Sequence, residues 1–109
     1  METRRLARLC ITMDKKYFLL RLLPPRASFT QDMTPEERAV MQAHVAYWAP
    51  YIEMRTMIVM GPVADPAGGW GLGVIGVERR EELDTLLKND PASTLGHWEV
   101  FPMLGIKYK

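Results

Sequence analysis

The run KYFLLRLLPP at residues 16–25 limits the fold more than any other stretch of the chain. Two prolines end it, and a short apolar run bounded in that way reads as a β-strand. Side chains alternate between the two faces of a strand. Phe18, Leu20 and Leu22 therefore share one side, and Tyr17, Leu19 and Leu23 share the other. A strand with one wet face would alternate apolar and polar residues. This one is apolar on both, so something must cover each face.

The next elements of the chain suggest the cover. RASFTQD (26–32) is a polar loop that carries Arg26 and Phe29. In MTPEERAVMQAHVAYW (33–48), Thr34 is an N-cap, Pro35 suits the first helical position and Glu37 completes a capping box. Glu36 and Glu37 complement the positive end of the helix dipole. Val40, Met41, His44, Val45, Trp48 and Ile52 recur at helical spacing and form one broad stripe. Pro50 removes a backbone donor, which predicts a kink or an early end followed by another turn. TMIVMGPV (56–63) is a second strand, ADPAGGWG (64–71) a turn, and LGVIGV (72–77) a third strand. ERREELDTLLKND (78–90) is a short helix with Leu83, Leu86 and Leu87 facing inward, ended by Asp90-Pro91. HWEVFPML (97–104) is the fourth strand.

This β-α-β-β-α-β order is the ferredoxin-like motif, an α+β fold with a four-stranded antiparallel sheet and two helices on one face. The other sheet face, also apolar, would be bare. A homodimer with sheet packed on sheet is the simplest cover.

The bulk numbers fit one domain of 109 residues. A formal charge of +1 argues against a dedicated nucleic-acid binder. Apolar runs of only a few residues argue against a membrane span. A single cysteine, Cys10, leaves no intramolecular disulfide and fits a cytoplasmic protein. The first twelve residues, METRRLARLCIT, carry three arginines and one glutamate, and lack the h-region and cleavage site of a secretory signal. We divide the chain into an N-terminal extension, 1–15, and a domain, 16–109.

PPRASF, MTPEERAVMQAHVAYW, GPVADPAGGWG, NDP and EVFPM, in this order and spacing across residues 16–103, resemble the YciI-like (YCII-related) family. Its members adopt a dimeric α+β barrel built from ferredoxin-like subunits. The resemblance implies a site made by the histidine of the first helix and the aspartate of the Asp-Pro step, which fall on His44 and Asp90. Some relatives look like enzymes of chlorinated-aromatic breakdown, where such a dyad would serve dehydrochlorination, while many have no assigned reaction. The chain departs from the family pattern at Arg55, where a glycine is usual, and at Pro50.

A histidine paired with an aspartate is a general-base arrangement: the carboxylate fixes the tautomer and stabilises the imidazolium formed when a proton is taken. On that reading His44 lies within hydrogen-bonding reach of Asp90, at the edge of a pocket bounded by Trp48 or Phe29. The alternative is a helix histidine bonded to a carbonyl or water, beside an Asp-Pro step that only terminates a helix. Phe29, Trp48 and Trp70 either wall a pocket for an aromatic ligand or belong to the core or a dimer contact. Arg26 either holds an anionic group or points into solvent. Asp65 shapes its turn, and His97 is an exposed residue at the start of its strand. No metal-ligand spacing, serine elbow or phosphate-binding glycine loop occurs, and no cofactor is expected. Two functions remain. One is a cofactor-independent lyase or isomerase acting through His44 and Asp90 on a small aromatic or enolisable compound. The other is a non-catalytic ligand-binding or interaction module on the same scaffold.

Overall fold

β1 (Lys16–Leu23) lies inside a four-stranded sheet, flanked by β3 (Trp70–Val77) and β4 (His97–Met103), with β2 (Met57–Val63) beyond β3. The structure is a computed structural model and describes residues 15–105; the 1–15 extension lies outside them but for Lys15. All neighbouring strands are antiparallel. Strand order β2-β3-β1-β4 is the ferredoxin-like arrangement. As an inner strand β1 has neighbours on both edges, and its Phe18, Leu20 and Leu22 side is the one that the helices cover.

α1 (Pro35–Glu53) and α2 (Arg80–Asn89) cover one face. Phe18, Leu20, Met57 and Ile75 of the sheet pack there against Trp48 of α1 and Leu83 and Leu87 of α2. Leu20, Trp48, Ile75 and Leu83 are fully buried, so this layer is the core. α1 starts as its sequence demands. Thr34 Oγ1 accepts from Glu37 N at 3.1 Å, and Glu37 Oε1 accepts from Thr34 N at 2.9 Å.

On the opposite face, register groups Leu19 with Val74 and Phe101, and Arg21 with Leu72 and Glu99. Leu19 and Val74 are half-buried and Phe101 is exposed. Arg21 pairs with Glu99 at 3.2 Å and its guanidinium lies 4.5 Å over the Trp70 ring.

Four local expectations change. Of the two outcomes expected at Pro50, the early end does not occur: α1 runs on to Glu53, the proline falling in the last turn, where both it and Ala46, whose carbonyl loses its donor, are exposed. Residues 26–32 are not wholly loop, since Phe29–Asp32 form one helical turn around a buried Phe29. β3 begins two residues earlier, at Trp70. The α1 stripe is buried only at His44 and Trp48, while Val45 and Ile52 stay exposed along its flank.

Arg55, where the family pattern has glycine, adopts φ 65°. It occupies the left-handed position just past the helix end. Arg55 N donates to Ile52 O and Thr56 N to Tyr51 O, the paired bonds of a Schellman motif. The helix therefore joins β2 by the usual glycine geometry with an arginine in it.

Candidate active site

His44 and Trp48 are four residues apart on α1, so they share one face one turn apart. Asp90 comes to them from the end of α2. There the chain turns extended at Asp90 (φ −70°, ψ 128°), and Pro91 opens a short 3-10 turn, Pro91–Thr94, that packs on α1. Proline cannot continue the helix, and the aspartate preceding it is biased away from helical backbone. Asp90 caps this turn by accepting from Ala92 N at 2.8 Å.

The same carboxylate meets α1. His44 Nδ1 lies 2.8 Å from Asp90 Oδ2 and 3.0 Å from Oδ1. Trp48 Nε1 donates to Oδ2 at 2.6 Å. Asp90 is only 2% exposed, so burial without partners would carry a heavy desolvation cost; three N–H groups meet it instead. Two of them, an indole and a backbone amide, can only donate. Opposite an ionised carboxylate, which only accepts, His44 Nδ1 carries the proton, and in the neutral ring that leaves Nε2 with a free lone pair.

His44 borders a cavity of about 450 Å³ between α1 and the sheet. Phe29, Met41, Trp48, Met60 and Trp98 are among its walls, a lining of aromatic and flexible apolar side chains. This is the size and character of a small-molecule site. Trp98 stands 6.4 Å from the His44 ring, and its indole N–H donates to Ser93 Oγ at 3.1 Å. Ser93 donates in turn to Leu87 O, so α2 and the 3-10 turn also fix this wall.

A family model described as the YCII-related domain matches residues 9–107. The chain belongs to the YCII-related family. No curated protein matches it.

In this YCII-related chain, His44, Trp48 and Phe29 line one cavity, and Asp90 is bonded to His44 and Trp48 behind that lining. Trp48 does more than wall it, since its indole is a partner of Asp90. An apolar stripe conceals that role, because a tryptophan there looks like core until its N–H finds an acceptor. Trp98 and the Ala92 amide were not legible as site groups at all.

Arg26 stands apart, neither free in solvent nor lining the cavity. Its guanidinium grips Glu37 through two bonds, at 2.8 and 2.9 Å, and Asp32 at 2.9 Å. Hydrogen bonds to Glu37, then Asp32, push the guanidinium above its ordinary range. Those from Arg26 and the Thr34 amide hold Glu37 down at about 2. The hydroxyl of Ser28, then Arg26, lowers Asp32. Two carboxylates thus engage the Arg26 guanidinium, and the trio sums to −1.

Asp65 accepts from Ala67 N and from Trp70 Nε1, which lower its carboxyl and fix the β2–β3 turn. His97 is exposed at the start of β4. Among the described residues no three His, Cys, Asp or Glu side chains cluster as metal ligands, and no helix is long and apolar enough to cross a membrane.

Proposed function

We propose that this YCII-related protein binds a small aromatic or enolisable compound between α1 and the sheet. His44 there acts as a general base, in a cofactor-independent lyase or isomerase reaction. The observation that carries this reading is the triple hydrogen bonding of Asp90, which orients His44 Nδ1 inward and leaves Nε2 as the basic atom beside an apolar cavity. A neutral imidazole with a free ring nitrogen suits removal of a proton from a phenol or from carbon next to a carbonyl. The proton passes from substrate to Nε2, and the resulting imidazolium faces the Asp90 carboxylate through Nδ1–H. In a lyase step the electron pair left on carbon expels a leaving group. In an isomerase step the same proton returns to another atom of the substrate.

One observation favours a binding module without turnover. His44 is the only ionisable side chain among the described residues lining the cavity, so no second acid or base stands across from it. Hydrogen–deuterium exchange at the acidic carbon of a panel of small ketones and phenyl ketones separates the two. Exchange that His44→Ala abolishes supports the base; ligand binding with no exchange in any member supports the module.

We further propose a cytoplasmic homodimer formed through the open sheet face. Support comes from the apolar character of that face, with Leu19, Leu72, Val74 and Phe101 on it. Sedimentation at micromolar concentration should give twice the chain mass, and a monomer alone would refute the dimer.

A further inference from the structure

We infer that the cavity selects by charge as well as shape, taking uncharged aromatic or enolisable compounds and refusing carboxylates and other small anions. This rests on the reading of the cavity as a ligand site and adds the class of ligand.

The reason lies in the lining. β1, β2, β3, the 26–33 segment and the 3-10 turn contribute apolar side chains, glycines, prolines and Thr30, and no cation among the described residues. α1 contributes His44 as the one ionisable wall residue. Behind His44 lies Asp90, whose carboxylate is buried and points its charge at the same ring. An anion entering the cavity would lose its hydration, find no lysine or arginine on the wall to replace it, and stand near the Asp90 carboxylate behind His44.

The two arginines within reach do not change this. Arg26 lies 5.4 Å from the Phe29 ring centre, yet Glu37 and Asp32 already take four of its five N–H donors and their charges outweigh its own. Arg21 sits on the other sheet face, paired with Glu99. A neutral ligand meets no such penalty. Its O–H or acidic C–H faces a lone pair on His44 Nε2, and its ring meets aromatic and methionine side chains that adapt to its outline.

Benzamide and benzoate have nearly the same shape and differ in charge, so an NMR titration of the full chain with each at neutral pH tests the rule. Shifts at His44 and Trp98 locate binding in the cavity. Benzamide should bind more than about tenfold tighter than benzoate. Met41→Lys, which places an ammonium on the cavity wall one turn before His44, should raise benzoate affinity relative to that of benzamide by at least about tenfold. Wild-type affinities within about threefold of each other would overturn the charge rule alone, with His44 and Trp98 shifts still marking a ligand site. Failure of both compounds to shift either residue would overturn the rule together with the ligand-site reading.

Discussion

Trp48 Nε1 and His44 Nδ1 converge on a single oxygen, Asp90 Oδ2, at 2.6 and 2.8 Å. Two side chains one helical turn apart thereby hold one carboxylate of the other helix–turn unit. Packing and imidazole orientation are consequently coupled, and a change at Trp48 alters both.

Trp48→Phe keeps an aromatic ring in the core but removes the donor. A lost buried hydrogen bond to a carboxylate should lower unfolding free energy by about 1.5–3 kcal/mol, with a further contribution from the smaller ring. Denaturant titration checks this. Because Trp48 acts through Asp90, the His44 Nδ1 proton resonance should also move. An unchanged resonance would assign Trp48 to packing alone.

Asp90→Ala leaves the His44, Trp48 and Ala92 N–H groups without their acceptor. Breaking a buried charged network by removing one partner should cost about 3–5 kcal/mol. Asp90→Asn retains one acceptor oxygen and should cost less. It should still slow proton exchange, because its NH₂ group opposes one of the donors. Melting temperatures rising in the order Ala, Asn, wild type would bear this out.

The fold was legible because local rules and global needs agree. The capping box at Thr34 and Glu37, the doubly apolar β1 and the Asp-Pro stop each have one physical reading. The pairing of His44 with Asp90 came from family resemblance rather than from spacing, because contact across 46 residues leaves no periodic trace. Arg26 could not be read either. Its partners read otherwise in the sequence, Asp32 as a loop acid and Glu37 as the capping-box residue, until the Phe29–Asp32 turn brings them to one guanidinium. Val45 and Ile52 match the helical stripe yet remain exposed, because they border the open cavity between α1 and the sheet and not packed core.

Glu37 gives a pH dependence of definite sign. Its carboxyl sits at about 2 in the folded chain against an ordinary 4.5. A depressed carboxyl binds its proton more readily when unfolded, so its stabilising contribution is complete above about 4.5 and vanishes as pH falls through about 2. Glu37→Gln should flatten the stability profile in that window and leave its shape near neutrality unchanged. Thermal melts across the acid range provide the comparison.

Arg55 holds left-handed backbone that glycine adopts freely. Arg55→Gly should stabilise the chain by roughly 1 kcal/mol, less the extra entropy of glycine in the unfolded state. A melting temperature that falls would show that the arginine side chain contributes contacts outweighing its backbone cost.

The protonation pattern of the His44 ring decides whether Nε2 is the basic atom facing the cavity. Long-range ¹H–¹⁵N correlation reads it at a pH where the imidazole is neutral. We expect a proton on Nδ1, an unprotonated Nε2, and an Nε2 shift that moves when a phenol is added. A neutral ring protonated at Nε2, or an Nε2 signal indifferent to the phenol, would contradict the role given to His44.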